Sequence, residues 1–442
     1  MVTSREPELT REEAAQREVA RTAMSGATAR FLLAVFLALI TAVPLLELVR
    51  SLRGDATASW VELRGLPGEV TTGVTAARMN GGGLWRQIVA ANNAIRDTCR
   101  RFEDALEDAS VIGNSSRPYV QLALTTWFGA GTEGVVPGRS GWLFFARDVH
   151  YVTGSGFLEP RVLERRARIS AVAGHAVQPD PRPAILAFKR DLEARGISLI
   201  VVPTPVKPAV HPEKLSRRYE AGSPRPDNPS YASFVEQLRR DGVLVFDPAE
   251  AFTADPAGST APYYLATDTH WRPEAMQQVA QRLAEYLRAR VSLSPVPRAG
   301  DVAEAREVQK LGDMGVLLGL PKGQTRYRPE AVTVRRVTHA DGTVWRPSPS
   351  ADVLLLGDSF TNIYSLSSLG WGDGAGFAEQ LSYELERPLD RITQNDEGAH
   401  ATRAALRRAG ADRLAGKRVV VYQFAARELG LGDWRVLSVA GE

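Results

Sequence analysis

Val353-Leu354-Leu355-Leu356-Gly357-Asp358-Ser359-Phe360 is the stretch that decides the fold. Four apolar residues closed by Gly-Asp read as a buried strand of a parallel sheet. Open α/β sheets place their chemistry at the carboxyl ends of such strands, and Ser359 stands there. About ninety positions upstream lies Asp268-Thr269-His270. Serine, histidine and a carboxylate are the smallest set that turns a weak hydroxyl into a nucleophile. The imidazole takes the serine proton, and the carboxylate orients the ring and stabilises its charged form. A spacing of two lets Asp268 orient His270 from one loop. These residues point to serine-dependent acyl transfer.

The surrounding sequence has a repeated grammar. Asp180-Pro181 precedes a helical segment from Ala184 to Ala194, Gly196 stops it, and Ser198 to Val202 is a strand. Helix Ser233 to Arg240, Gly242 and strand Val243 to Phe246 follow the same order, as do helix Ala401 to Arg408, Gly410 and strand Arg418 to Phe424. Pro273 suits the first turn of a helix running to about Arg288. Alternating helices and apolar strands imply a mainly parallel sheet covered on both faces. Ala331 to Val337 and Thr343 to Arg346 flank Asp341-Gly342, the turn expected of an antiparallel flap at the sheet edge.

Outside this region the pattern differs. Residues 31–49, FLLAVFLALITAVPLLELV, are almost wholly apolar. As a helix they would span roughly 28 Å, close to the hydrocarbon core of a bilayer. Arg5, Arg11, Arg17, Arg21 and Arg30 precede the run, and only Arg50 and Arg53 follow closely. That asymmetry predicts a cytoplasmic tail over 1–30, an uncleaved signal anchor over 31–50 and a translocated remainder. The competing readings are a signal peptide cleaved after Ala56-Thr57-Ala58 and a buried soluble helix. Residues 51–130 form the next region: a Gly- and Thr-rich linker over 59–83, then an amphipathic helix. Its stripe is Leu84, Ile88, Ala91, Ile95, Cys99 or Thr98, Phe102 and Leu106, closed by Asn114 and Pro118. This helix either packs on the domain that begins near residue 131 or dimerises as a short coil.

Composition bounds the function further. The 442 residues are 44% hydrophobic and 24% charged, with a net charge of +3, the profile of an ordinary globular chain. No basic stripe interleaved with aromatics marks a nucleic-acid surface. One cysteine, Cys99, excludes an internal disulfide and a multi-Cys metal site.

Gly-Asp-Ser-Phe after an apolar strand, with Asp-x-His, resembles the SGNH hydrolase superfamily. Here Asp-Thr-His comes before Gly-Asp-Ser, the reverse of the usual order, and that inversion resembles the AlgJ/AlgX-type alginate O-acetyltransferase family. Further segments fit it: Gly141-Trp142-Leu143-Phe144-Phe145, Val202-Pro203-Thr204-Pro205-Val206-Lys207, His211-Pro212-Glu213-Lys214-Leu215, Thr267 to Trp271, and Gln423 to Leu429. The resemblance covers roughly 131–435 and implies an SGNH hydrolase-like α/β domain over 131–442. It implies a periplasmic enzyme, held at the inner membrane, that moves acetyl groups onto exopolysaccharide hydroxyls. Ser359 would be the nucleophile, His270 the general base and Asp268 its orienter. A Gly and an Asn are the superfamily's oxyanion donors. Asn395 and Gly398 are the nearest candidates, with Asn362 a second and Gly357 beside the serine.

Arg427 is a candidate either for sugar contact or for a structural ion pair. Trp142, Trp271 and Trp371 offer stacking faces, with Trp142 the readiest core residue and Trp271, next to the histidine, the best placed. Lys207 would face the crevice or solvent. The resemblance also implies a membrane-bound O-acyltransferase partner that delivers acetyl groups, since no segment looks like a CoA site and no cofactor is called for. Two rivals stay open. One is an acetyl esterase using the same triad with water, and the other a non-catalytic polysaccharide-binding or assembly protein. A metal site is disfavoured, because His270 would be its only histidine.

Overall fold

The computed structural model describes residues 25–53, 59–79, 81, 83–172, 177–220, 224–253, 261–395 and 398–438. The chain divides into two compact units, Met1–Val120 and Gln121–Glu442.

In the second unit the strands are β1 (Val135–Pro137), β2 (Leu143–Phe145), β3 (Ser198–Thr204), β4 (Leu244–Val245), β5 (Val302–Lys310), β6 (Glu330–Thr338), β7 (Val353–Gly357), β8 (Asp390–Thr393) and β9 (Val419–Ala425). Five of them form one sheet in the order β4-β3-β9-β7-β8. All its pairs are parallel, with Ser198 opposite Val419 and Val353 opposite Val419 on the other side.

The expected strands and helices of the repeated grammar are present, because each apolar run is divided by the pleat between two cores. Ile200, Val202, Val353, Leu355, Val419 and Val421 face one cluster, which helices Pro273–Arg290 and Phe377–Leu385 supply with Met276, Val279, Leu283 and Leu381. Leu199, Val201, Leu354, Leu356, Val420 and Tyr422 face the opposite cluster, with Ile185 and Phe188 of helix Pro181–Glu193, Phe234 of Tyr231–Arg240 and Leu406 of Ala401–Ala409. Both faces are dry, so β7 reads as continuous hydrophobicity rather than alternation.

The flap differs from expectation. β6 pairs antiparallel with β5 along nine residues, while Thr343 to Arg346 contributes only an isolated bridge, Thr338 to Val344. The turn itself exists, with Gly342 at φ +82° and its N–H donating to the His339 carbonyl. β5 escaped the sequence because Val302–Lys310 is mostly exposed and carries four charged residues among its nine. The pair is anchored instead through Val332, Val334 and Val337 of β6.

In the first unit, residues 59–79 are a helix, Ser59–Met79, and not linker. Pro67 and several glycines argue against a helix by propensity, and packing overrides them. The helix lies against Leu84–Ala109, close enough that a Cβ on Gly73 would sit 3.6 Å from the Ala90 carbonyl oxygen. Glu69 accepts from Thr98 Oγ1 at 2.9 Å and pairs with Arg101. The amphipathic helix ends at Ser110, earlier than Asn114 and Pro118 suggested. Ser110 Oγ accepts the Gly113 N–H, and a new helix, Val111–Phe128, runs through Pro118.

Helix Gly26–Leu52 covers the apolar run, but its side chains at 39, 43, 44, 47, 48 and 50–52 lie outside the described residues. Among the described residues no helix is long and apolar enough to cross a membrane. Residues 1–24 of the expected tail and the Ala56-Thr57-Ala58 cleavage motif also lie outside them.

Leu355→Ala removes a fully buried side chain from β7, which is paired on both sides by β9 and β8. It should lower the unfolding free energy by about 2–5 kcal/mol, read from the midpoint of denaturant unfolding followed by far-UV circular dichroism.

Candidate active site

β7 delivers Ser359 to the carboxyl edge of the sheet. Asp358 caps the short helix Ser359–Asn362 by accepting the Phe360 N–H at 2.9 Å. Ser359 is thus the first helical residue, where a backbone N–H has no partner within the helix. Gly357 is buried at the end of β7. Its role is spatial, because a Cβ there would fall 2.1 Å from Thr361 Oγ1.

The turn is locked from below by Gln423. Its Nε2 donates to Thr204 Oγ1 and Asp358 Oδ1, each at 2.9 Å. Its Oε1 accepts the Asp358 N–H at 3.0 Å and the Thr361 hydroxyl at 2.8 Å. One buried amide therefore ties the ends of β3, β9 and β7 together. Asp358 Oδ2 completes the latch by accepting the Ala425 N–H.

The Asp268-Thr269-His270 loop is pinched at its neck by the Tyr264–Trp271 bridge. His270 N–H and Nδ1 both meet Asp268 Oδ1, at 3.1 and 2.7 Å. His270 Nε2 lies 2.9 Å from Ser359 Oγ. Asp268 Oδ2 accepts Trp371 Nε1–H at 2.9 Å and the Asp313 N–H at 3.0 Å. Asp268, His270 and Ser359 thus form one continuous hydrogen-bonded line, with Ser359 half-buried and the other two buried. Burial works to raise the Asp268 carboxyl, but the hydrogen bond and charge of His270 outweigh it and hold it well below the usual carboxylate range. Burial likewise opposes charge on His270, and Asp268 overturns that, leaving the imidazole above its ordinary value.

Lys207 neither faces the crevice nor reaches solvent. Its ammonium is fully buried and donates to the carbonyls of Leu143, Ala266 and Asp268 at 2.6, 2.8 and 3.0 Å. Desolvation brings its pKa down to about 7. Trp271 is also fully buried, against Phe360 and Phe377. It therefore presents no stacking face to a sugar, and its Nε1–H goes to the Phe360 carbonyl. Trp371 is equally buried and serves Asp268, while Trp142 belongs to the core.

Asn395, Gly398 and Arg427 meet in one crevice with Asp358, Gln423 and Glu428. Asn395 Oδ1 accepts from Asn362 Nδ2 at 2.7 Å, which leaves the exposed Asn395 NH2 without a protein partner among the described residues. Asn362 itself is buried. Gly398 is at φ +72° in the turn before helix Ala401–Ala409, and residues 396 and 397 lie outside the described residues. Arg427 forms an ion pair with Asp148 at 3.1 Å and also lines this crevice.

Asp268, His270 and Asp313 are close enough for a cation. The donor set speaks against one, because both Asp268 oxygens already accept N–H groups and His270 Nδ1 is bound to Asp268. Sequence reasoning overlooked Asp313, which no motif marks, and gave Gln423 no role. The one polar residue in Val-Val-Val-Tyr-Gln-Phe-Ala was the available signal, since a buried amide must find partners.

A family model described as "SGNH hydrolase-like domain, acetyltransferase AlgX" matches residues 135–426, a span that holds all three aligned side chains. The chain belongs to this AlgX-type SGNH hydrolase-like family. Among curated relatives, the probable alginate O-acetylase AlgJ of Pseudomonas aeruginosa is 27% identical over 237 residues, covering 53% of this chain and 54% of the relative. The AlgJ of Pseudomonas fluorescens is 27% identical over 258 residues, covering 56% and 57%. The chain spans about half the length of the curated relatives it matches. A solved O-acetyltransferase domain of Pseudomonas putida AlgJ aligns over 67% of this chain and 92% of its own, at 23% identity and a TM-score of 0.49. The parallel sheet flanked by helices is the fold that the AlgX-type family resemblance implied.

Gln423→Leu should strip the latch while keeping the side-chain volume. The cost should be about 1–3 kcal/mol for each buried group left without a partner, measured by denaturant unfolding.

Proposed function

We propose that this chain is a serine-dependent O-acetyltransferase that passes acetyl groups to polysaccharide hydroxyls through an acetyl-serine intermediate. The observation that carries the proposal is the unbroken line from Asp268 through His270 Nδ1 and Nε2 to Ser359 Oγ. Membership of an acetyltransferase family supports it. The acceptor named in the relatives is alginate, and we take a polymer of that kind as the substrate class.

In the proposed reaction His270 Nε2 accepts the Ser359 proton as Oγ bonds to the acetyl carbonyl carbon. The resulting oxyanion is met by the Ser359 N–H, with the Asn395 NH2 as the second donor. Collapse breaks the bond to the donor's leaving group, which takes the proton from the imidazolium. A sugar hydroxyl then gives its proton to His270, bonds to the acetyl carbon and releases Ser359, which recovers the proton. Water in place of the sugar would make the same residues an esterase, which the half-buried Ser359 permits. Arg427 and Gly398 line the crevice where the acceptor would lie.

The sequence supports an inner-membrane anchor over 31–50, with the catalytic unit on the periplasmic side. A membrane-bound O-acyltransferase would be the acetyl supplier there.

The test combines a chromogenic acetyl ester, a candidate oligosaccharide and mass spectrometry of both products. Acetyl should appear on Ser359 and then on sugar, and Ser359→Ala should lose at least about a thousandfold in turnover while staying folded. Acetate alone, with unmodified sugar, would favour the esterase, and full activity of Ser359→Ala would end the proposal. Since only the neutral imidazole can take the serine proton, kcat/KM should fall as pH drops through a pKa above the ordinary histidine value.

A further inference from the structure

We propose that Asp313 is a second positioning carboxylate for His270, acting through the loop that it clasps and through its own charge. This rests on the triad reading of the site.

The clasp is reciprocal. Asp313 Oδ1 accepts the Thr269 N–H at 2.8 Å, while the Asp313 N–H donates to Asp268 Oδ2 at 3.0 Å. The two acidic residues thereby hold each other's loops. The approach is close: Gly312 N–H donates to Thr267 Oγ1, Gly315 N–H donates to the Thr267 carbonyl, and a Cβ on Gly312 would fall 2.4 Å from that carbonyl oxygen. Helix Asp313–Leu317 is therefore pressed onto the loop that carries His270.

The charge is placed to matter. Asp313 Oδ2 lies 3.9 Å from His270 Nδ1, beyond hydrogen-bond reach and on the ring side already bonded to Asp268. A negative charge at that distance favours the imidazolium, the form His270 takes in each half of the proposed reaction. Other ionisable groups act on these two, Asp148 among them through the charge of His270. Asp268 favours the imidazolium and Arg427 opposes it. Lys207, at the back of the loop, senses Asp268, Asp313, Glu330 and Asp148. Partial burial, with the side chain still 39% exposed, and the charge of Asp268 push Asp313 up to about 6. It is therefore ionised when His270 titrates above that pH and neutral when the solution is more acid. Asp268 orients and Asp313 adds field, so the two carboxylates differ in role.

The experiment follows the His270 ring resonances by NMR through a pH titration of the whole chain, with the H270N spectrum identifying them. Wild type, D313N, D313E and D313A are compared, alongside acetyl-ester turnover against pH and S359A as the control. D313N keeps an acceptor for the Thr269 N–H and removes the charge. Its His270 midpoint should fall by roughly one pH unit, and the acid limb of kcat/KM should move down with it. Its plateau kcat should drop about tenfold with KM little changed. D313E should restore the midpoint.

An unchanged midpoint in D313N overturns the proposal, even if turnover falls, because a purely structural clasp would leave the titration alone. If D313A fails to fold, the isosteric D313N still decides. Ester turnover surviving in S359A would instead sink the triad reading, and with it any catalytic meaning for Asp313, however the ring titrates.

Discussion

A carboxylate sealed from water must find its hydrogen bonds inside the protein, and Asp268 finds four. They are the His270 N–H and Nδ1, the Trp371 indole N–H and the Asp313 N–H. Leaving such a charge unsatisfied would cost several kcal/mol. The donors come from three separated parts of the chain, so the satisfied carboxylate specifies how the histidine loop, the segment at 313 and the segment at 371 come together. Lys207 adds a second restraint, holding the carbonyl of the same residue from behind. The imidazole is thereby fixed with Nδ1 inward and Nε2 facing Ser359.

The serine side is organised by the same economy of polar groups. Gln423, itself on β9, directs all four of its hydrogen-bonding capacities to the end of β3 and the turn after β7. Asp358 is engaged by the cap, by Gln423 and by the Ala425 N–H, so it serves the turn and is spared for no other task. Two polar latches, one under the nucleophile turn and one around the histidine loop, meet across the 2.9 Å between Nε2 and Oγ. A crevice lined by Asp358, Asn395, Gln423 and Arg427 lies beside the nucleophile turn, and apolar cores pack on both faces of the sheet beneath it.

Several residues conspicuous in the sequence serve structure instead. Trp271 sits next to the histidine, yet its indole closes the core under Phe360. Arg427 reaches the crevice only with Asp148 attached to it. The helix Ser59–Met79 shows the converse: glycines and a proline that suggest linker lie in a helix, and a neighbouring helix packs closely on it at Gly73. Local propensity is worth about 1 kcal/mol for a glycine and can be outweighed by packing of this kind.

What the sequence determined by itself was everything written in short-range pattern. The apolar runs at 198–202, 353–356 and 418–424, the glycine stops after helices and the two short motifs at 268–270 and 357–359 fix element type and candidate chemistry. Burial on both faces requires such runs wherever the sheet is parallel. Only the tertiary structure decided which strands are neighbours, that Val302–Lys310 pairs with Glu330–Thr338, and that Trp371 and Asp313 attend Asp268. Those contacts join residues dozens of positions apart, and no periodicity encodes them. They follow from where the folded chain leaves polar groups in need of partners.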